Sequence, residues 1–481
     1  MPHEVGPFST AAAMLEAMDA RTISSRELTE LHIERIEQHD GTLNAIPVRT
    51  FHRARQAAAA ADERRARGER APLLGLPMTL KESEQVAGLP QSAGFPERRE
   101  YRPAADGAAA LATLGNGAGL LGKTNIPFAL GDWQADSANY GRTRNPWNLD
   151  RTPGGSTGGG GAALAAGLTP LEVGSDIGGS IRVPAAYCGV WGHRPSETAV
   201  PRSGGFPARD LPNPAALMGV QGPLARSAAD LELLLDLMSG AEAGEDRAWS
   251  IAIPASRRSG LGDFRVAVMP AFAFCPVAAE MQGRVDALAS FLSARGATVR
   301  VAMPTFDLEA YFHDYLRLLT AMTTTAIPRD LRPALAEEIR SEGDGIARAR
   351  ADGLILDAPS FLELLERRER SRVAWREFFG DWDVLIGPMA LGAAFPHSDV
   401  PLPRRVLLVD GDEVPAQLNL TYPMLATFAG QPSTAFPAGL SAEGLPLGLQ
   451  AIGPYLEDRT PLAFAALLER EWQAFVPPPG F

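Results

Sequence analysis

Two glycine-rich loops, close together in the sequence, carry the serines that are best placed for chemistry. The first is TPGGSTGGGG (152–161) and the second is GSDIGGSIRVP (174–184). In each loop a serine directly follows a pair of glycines. Glycine has no Cβ and readily adopts a positive φ, so such a loop can expose several backbone N–H groups to one substrate oxygen. The pattern therefore favours a reaction that passes through an oxyanion held by the main chain.

The chain resembles the amidase signature family over nearly its whole length. Besides the two loops, the resemblance is carried by GLPMTLK (75–81), GKTN (122–125), YGRTRNPW (140–147), PAAYCGVWG (184–192), GPLAR (222–226) and GLPLGLQ (444–450). It implies a Ser-Ser-Lys triad, with Ser180 as the nucleophile, Ser156 as the bridging serine after a cis peptide bond, and Lys81 as the base. It also implies the fold of that family, a large mixed β-sheet covered by helices on both faces.

The chemistry of such a triad follows from the residue types. A serine hydroxyl is a weak nucleophile and needs a proton acceptor near neutral pH. Lys81 ends the run Met-Thr-Leu, which is typical of a buried strand, and burial lowers the pKa of a lysine. We therefore expect Lys81 to accept a proton from Ser180 through Ser156, and Ser156 to return that proton to the leaving amine.

The second loop is expected to supply the groups that stabilise the oxyanion. The backbone N–H groups that would form the oxyanion hole are those of Ile177, Gly178, Gly179 and Ser180. Asp176 and Arg182 flank this segment with opposite charges. We expect these two side chains to form an ion pair that braces the loop, and not to take part in the reaction.

The candidates for the substrate pocket are four aromatic residues: Trp133, Tyr140, Trp191 and Phe206. Core packing is the alternative for each of them. An uncharged aromatic lining suits aryl or alkyl amides, anilides, and carbamate (urethane) or other esters. We therefore predict a serine amidohydrolase that cleaves C–N bonds of a small-molecule amide or carbamate through an acyl-enzyme on Ser180.

The sequence departs from the family pattern at four positions near these motifs. Thr157 stands where the family usually has serine, Gly160 stands where serine is common, and Glu82 stands where many members carry aspartate. Phe128 occupies a position where an acidic residue is frequent. None of the four is a triad position, and the change at Phe128 favours a more apolar site.

The elements that must position these residues alternate between strand and helix. Short apolar runs separated by Gly and Pro predict buried strands with helices between them, which indicates an α/β fold with a mixed sheet. Near the N-terminus, Ser24 and Glu27 form the pattern of a capping box, and the alanine-rich segment 57–67 predicts a second helix. We expect residues 1–481 to form one domain, with the helix-rich segment 307–379 as a variable insertion that contributes to the substrate pocket.

The composition excludes several other classes of protein. The chain of 481 residues has only 2 cysteines and 7 scattered histidines, so we predict no metal site and no cofactor. Lys+Arg 45 against Asp+Glu 57 gives a net charge of −12, which disfavours nucleic acid and anionic membrane surfaces as partners. The N-terminal residues lack the pattern of a signal peptide, and no apolar stretch is long enough to cross a membrane. We expect a cytoplasmic monomer or homodimer.

Three alternatives compete with this interpretation. A glutaminase, as the A-type subunit of a tRNA-dependent amidotransferase, shares the same signature and would pass ammonia to a partner protein. The segment GAGLLGKT (117–124) fits the phosphate-loop pattern, but the residues before it predict a helix and not the strand which that motif requires. The segment GGSTG (154–158) fits the serine elbow of α/β-hydrolases, but no downstream histidine has a clear acidic partner.

Overall fold

The computed structural model describes residues 5–205 and 217–481 of the chain. Within these residues, 15 strands form one large sheet and two small ones. The strands are β1 (Val48–Arg49), β2 (Pro77–Lys81), β3 (Gly119–Thr124), β4 (Asp136–Ser137), β5 (Gly141–Arg142), β6 (Leu171–Asp176), β7 (Trp191–Arg194), β8 (Val220–Ala225), β9 (Arg265–Val268), β10 (Thr298–Val301), β11 (Val384–Pro388), β12 (Val406–Val409), β13 (Asp412–Pro415), β14 (Ser433–Leu440) and β15 (Pro446–Ile452).

The large sheet has 11 strands in the order β1-β3-β2-β6-β8-β7-β14-β15-β11-β9-β10. Strand β2 pairs in parallel with both β3 and β6, and β9 pairs in parallel with β10 and β11, whereas the other pairs are antiparallel. The small sheets are the hairpins β4–β5 and β12–β13. The predicted α/β class with a large mixed sheet is confirmed.

Fourteen α-helices lie within the described residues. They are α1 (Ala11–Asp19), α2 (Ser25–Leu43), α3 (Phe51–Ala66), α4 (Ala108–Thr113), α5 (Gly158–Ala165), α6 (Arg182–Cys188), α7 (Ala228–Met238), α8 (Ala279–Ala294), α9 (Leu308–Thr323), α10 (Arg332–Arg340), α11 (Gly345–Leu354), α12 (Ala358–Asp381), α13 (Thr421–Ala429) and α14 (Arg459–Glu471). None of the helices in the described part of the chain is long and apolar enough to span a membrane.

Local sequence signals account for several of these elements. The capping box predicted at Ser24 and Glu27 is present at the start of α2 and satisfies its first backbone N–H groups. The helix predicted over 57–67 is α3, which begins earlier, at Phe51. Most of the segment that fits the phosphate-loop pattern is strand β3, so it cannot wrap a phosphate as a loop would.

The glycine-rich loops lie beside β6, the fourth strand in the order of the large sheet. The first loop leads into α5, and the second connects β6 to α6. Both helices and β6 are almost entirely buried, so the loops are held on rigid, inaccessible elements. The sheet therefore supplies a fixed platform on which the two loops and the end of β2 meet.

Candidate active site

Lys81, the last residue of β2, is the centre of a polar layer on one face of the sheet. Its register partner on β3 is Thr124, and Thr79, two residues earlier, is paired with Glu172 on β6. Side chains two residues apart on a strand point to the same face. The side chains of these four residues therefore share one face. Gly160 of α5 lies against Glu172 on that face, so the helix that follows the first loop covers this part of the layer.

The Lys81 amine makes the contact that a base would need. Lys81 is fully buried, and its Nζ lies 2.7 Å from Ser156 Oγ and 3.0 Å from Ser175 Oγ. Burial lowers the pKa of Lys81 to about 8, although the carboxylates of Glu84, Asp176 and Glu172 partly oppose this shift. At such a pKa a substantial fraction of the amine is neutral at mildly alkaline pH and can accept a proton.

Ser175 is a partner of Lys81 that the sequence analysis missed. It precedes Asp176 at the end of β6, and it reaches Lys81 only because β2 and β6 are neighbours in the sheet. Nothing in the sequence indicates this pairing, since 94 residues separate the two side chains. The motif around Ser175 was visible, but its contact with the lysine was not.

The two glycine-rich loops are tied together by their backbones. The peptide bond between Gly155 and Ser156 is cis, as the resemblance implied. Directly after it, the N–H of Thr157 donates to the carbonyl of Ser180 at 3.1 Å. The hydroxyl-bearing residues of both loops are thus brought to one place, next to the end of β2.

Ser180 lies between β6 and α6 at a sharp change of chain direction. Its side chain is nearly buried, with 7% of the residue exposed. The preceding Gly179 has φ +91°, a value that L side chains avoid, which explains the glycine at this position. Its N–H donates to Asp176 Oδ1 at 2.9 Å, so this predicted oxyanion donor is already engaged in the structure.

Asp176 and Arg182 form a fully buried ion pair beneath the second loop. Arg182 Nε and Nη2 both donate to the Asp176 carboxylate at 3.0 Å, and the N–H of Ile181 adds a contact of 3.2 Å. Burial alone would raise the pKa of Asp176, but attraction to Arg182 and these hydrogen bonds outweigh it and lower the pKa to about 2. The loop is therefore fastened at its base by a permanently charged group.

Two aromatic side chains hold the other side of this loop. Trp133 Nε1 donates to the carbonyl of Gly178 at 3.0 Å, and the hydroxyl of Tyr315 on α9 donates to the carbonyl of Ile177 at 3.1 Å. The C=O and N–H of a trans peptide point in opposite directions. Holding these carbonyls therefore fixes the direction of the N–H groups of Gly178 and Gly179.

Of the other predicted pocket residues, Tyr140 contacts the turn after Lys81 and Trp191 lies in the core. The Tyr140 hydroxyl donates to Glu82 Oε1 at 2.8 Å, and the same carboxylate accepts the Ser92 N–H at 2.7 Å, so Tyr140 braces the turn after Lys81. The prediction for Trp191 is wrong. This residue is fully buried and stacks on Phe436 within the core, and a side chain without any accessible surface cannot line a pocket open to substrate. Phe206 lies outside the described residues.

The known proteins that resemble this chain include amidases and an amidotransferase subunit. Residues 27–462 match the family model described as Amidase. The chain is 33% identical to the A-type subunit of the glutamyl-tRNA(Gln) amidotransferase of Halorhodospira halophila, covering 93% of this chain and 94% of that protein. It is 32% identical to the putative amidase AmiB2 of Mycobacterium tuberculosis, covering 97% of each. A bacterial aryl acylamidase of the amidase signature family superposes with a TM-score of 0.79 at 27% identity, over 97% of this chain and 96% of the other.

Proposed function

The chain belongs to the amidase family, and from this premise we propose that it is a serine amidohydrolase in which Ser180, Ser156 and Lys81 form the catalytic triad. The observation that carries the proposal is the contact of 2.7 Å between Lys81 Nζ and Ser156 Oγ at a fully buried lysine. A lysine without solvent can act as a base, and a serine that it contacts can relay a proton to it.

The proposed acylation begins with the neutral amine of Lys81. As Ser180 Oγ attacks the carbonyl carbon, its proton passes to Ser156 Oγ, and the proton of Ser156 passes to Lys81. The tetrahedral intermediate places a negative charge on the former carbonyl oxygen, and we assign its stabilisation to the N–H groups of Ile177 and Gly178. Such a donor is worth about 3–4 kcal/mol. The Gly179 N–H joins them only if it leaves Asp176.

Collapse of the intermediate then breaks the C–N bond. The ammonium of Lys81 returns a proton to Ser156, which gives its own proton to the leaving nitrogen, so the amine departs neutral. A water molecule, deprotonated along the same route, attacks the ester on Ser180 and releases the acid. The triad is restored without any group beyond the two serines and the lysine.

We propose that the substrates are aryl or alkyl amides, anilides and, by the same chemistry, carbamate esters. The support is the exposed aromatic side chain of Phe128 and the likeness to the bacterial aryl acylamidase. Phe128 is 55% exposed and makes an edge contact with Phe95. Its neighbour in space, Gly94, follows Ser92 and Ala93, whose N–H groups bind Glu82 next to Lys81. The segment that contacts Phe128 is thus joined by hydrogen bonds to Glu82, the residue after the proposed base.

We also propose that the segment 307–379 forms part of the pocket wall. Its first helix, α9, supplies Tyr315, which binds the carbonyl of Ile177 beside the proposed nucleophile. The same helix carries Tyr311, which binds the carbonyl of Leu425 on α13. Changes in this segment would therefore reach the loop of Ser180 through a direct hydrogen bond.

The decisive experiment compares Ser180→Ala, Lys81→Ala and the surface control Ser290→Ala in turnover of a chromogenic anilide. We expect the first two variants to lose at least about a thousandfold in kcat and the control to keep full activity. Mass spectrometry of wild type quenched during turnover of an aryl ester should show the acyl group on Ser180. Full turnover by Ser180→Ala would overturn the proposal.

A second candidate is one component of an amidotransferase, and the identity of 33% to the A-type subunit from Halorhodospira halophila favours it. Such a chain would hydrolyse glutamine and deliver ammonia to a partner. The purified chain should be assayed alone on the anilide and on glutamine. Anilide turnover without a partner supports the hydrolase, whereas glutamine turnover that appears only with partner proteins supports the second candidate.

A further inference from the structure

Three buried carboxyl groups act on the Lys81 amine, and their surroundings differ sharply. Asp176 is bound by Arg182 and by backbone N–H groups. Glu172 accepts a hydrogen bond of 2.6 Å from Thr124 through Oε1, although its Oε2 has no partner in the described part of the chain. The third, Glu84, has no hydrogen-bond partner for its carboxylate among the described residues.

Glu84 lies in the turn directly after β2. Its backbone N–H donates to the carbonyl of Lys81 at 2.9 Å, and its side chain is fully buried. Among the described residues, neither of its carboxylate oxygens has a hydrogen-bond partner. A buried carboxylate without hydrogen bonds is costly unless it is protonated or balanced by nearby cations.

Among the described residues, the cations that act on Glu84 are the buried amines of Lys81 and Lys123, of which Lys81 has the stronger effect. Lys123 Nζ donates to the carbonyl of Pro90 and has Glu82 as its strongest carboxylate neighbour. Glu82 itself is held by Tyr140 and by backbone N–H groups. The other charged groups that act on this cluster are Glu172 and Asp176 on β6 and, through Lys123, Arg102.

We propose that Glu84 is a positioning residue that controls the charge of the Lys81 base, so that catalysis responds to the protonation of a buried lysine–glutamate pair and not of the lysine alone. An ionised Glu84 holds the proton on the Lys81 amine and withholds the neutral base from Ser156. A protonated Glu84 exerts no such attraction. This inference rests on the proposed function, because it assumes that Lys81 is the base.

The ionisation behaviour of the two groups is consistent with this geometry. Burial raises the pKa of Glu84 to about 8, against the opposing attraction of Lys81 and Lys123. Burial lowers the pKa of Lys81 to about 8, and among the carboxylates that oppose this shift Glu84 has the largest effect. Both groups therefore titrate in the same range, and the proton lost first belongs to the pair.

The test is the pH profile of kcat/KM for an uncharged anilide, measured in wild type and in Glu84→Gln. Glutamine keeps the size of the side chain and removes the charge that holds a proton on Lys81. The acid limb of the profile should therefore move to lower pH by about one unit and become steeper, because a single group now titrates. The exposed carboxylate Glu97 offers the matched control, and Glu97→Gln should leave the limb unmoved.

A second variant guards against misfolding of the first. Glu84→Leu also removes the charge and fills the buried volume, and it should shift the limb in the same direction. If either variant folds and its limb coincides with that of wild type, the inference is overturned. The proposed function is tested separately by Ser180→Ala and Lys81→Ala. If those variants are inactive while the limb of Glu84→Gln stays in place, the triad stands and only the role of Glu84 falls.

Discussion

Trp133 and Trp147 each donate an indole N–H to a backbone carbonyl. A comparison of the two residues can therefore distinguish a positioning role from a structural one. Trp133 Nε1 donates to the carbonyl of Gly178 at 3.0 Å, and Trp147 Nε1 donates to the carbonyl of Cys188 at 2.9 Å. Only the first carbonyl belongs to the loop of the proposed nucleophile. We expect Trp133→Phe to lower kcat about tenfold, the equivalent of one hydrogen bond, with a much smaller change in KM.

The matched control is Trp147→Phe, which removes an indole N–H bonded to a carbonyl at the far end of α6. It should lose similar thermal stability and keep its kcat. Steady-state kinetics and thermal unfolding of both variants check this. Equal kcat values in Trp133→Phe and wild type would show that the indole N–H does not orient the loop.

At the scale of single residues, the motifs predict the residues of the proposed triad but not the residues that surround them. The motifs indicate Lys81, Ser156 and Ser180 as the proposed triad, because each ends or follows a distinctive string of residues. The contact of Ser175 with Lys81 depends on the pairing of β2 with β6. Glu84 is only three positions from Lys81, but its burial without a hydrogen-bond partner among the described residues depends on packing. Trp191 was assigned to the pocket by its residue type alone, and only packing shows that it is enclosed.

At the scale of elements, the close packing of α5 on β6 explains the glycine at position 160, one of four that begin the helix. A Cβ at Gly160 would lie 2.6 Å from Glu172 Cγ and 2.8 Å from its Oε1, so any larger residue there would require the Glu172 side chain to move. The serine that is common in the family at this position would therefore have to displace the neighbouring glutamate. Gly160 and Glu172 thus fit each other across the interface between helix and strand.

This fit predicts a specific loss of stability. Gly160→Ala should lower the free energy of unfolding by about 1–3 kcal/mol, because the added methyl group must displace Glu172 in a packed layer. Gly283, in the middle of α8, has open space where a Cβ would lie, with no described atom within 4 Å. There Gly283→Ala should raise the free energy of unfolding by about 0.5–1 kcal/mol through helix propensity.

Chemical denaturation of the two variants measures both effects. The cause can be tested further with Glu172→Ala, which removes the side chain that the new methyl group would meet. In that background the cost of Gly160→Ala should fall below about 0.5 kcal/mol. A cost that is equal in both backgrounds would contradict the steric explanation.

Element types were easier to predict than element neighbours. The capping box of α2 is a local signal within four residues, and it was found in the sequence because its hydrogen bonds are local as well. The pairing of β2 with β6 joins residues more than ninety positions apart, and no local pattern encodes it. The site depends on that pairing, so its geometry needed the structure.

At the scale of the whole molecule, two kinds of buried group give stability opposite dependences on pH. Burial raises the pKa of Glu84 and Glu172 from 4.5 to about 8 and about 7. At a pH between the unfolded and the native pKa of each group, the native state keeps a proton that the unfolded state has lost. The contribution of these two carboxyl groups to stability therefore falls as the pH rises. Burial also raises the pKa of Asp230 and Glu469, which act in the same direction.

One buried histidine and one half-buried histidine act in the opposite sense. Burial lowers the pKa of His32 from 6.5 to about 3 and that of His397 to about 4. The unfolded state therefore binds more protons than the native state up to pH 6.5, and stability rises with pH over that range. Between pH 4.5 and 6.5 the two effects oppose each other. Above pH 6.5 the carboxyl groups dominate until the pH approaches 8, where the buried amines of Lys81 and Lys123, whose pKa burial lowers to about 8, begin to oppose them.

We therefore expect the melting temperature to change little between pH 4.5 and 6.5 and to fall between pH 6.5 and about 8. Over that second interval kcat/KM should rise, because Lys81, with its pKa of about 8, becomes neutral. The enzyme would then lose stability where it gains activity, since both changes come from the same buried layer.

Thermal unfolding followed by circular dichroism across this range checks the trend in melting temperature, and Glu84→Gln combined with Glu172→Gln should flatten that trend. A melting temperature of wild type that rises from pH 6.5 to 8 would refute the assignment, because the native state would then bind fewer protons than the unfolded state over this interval.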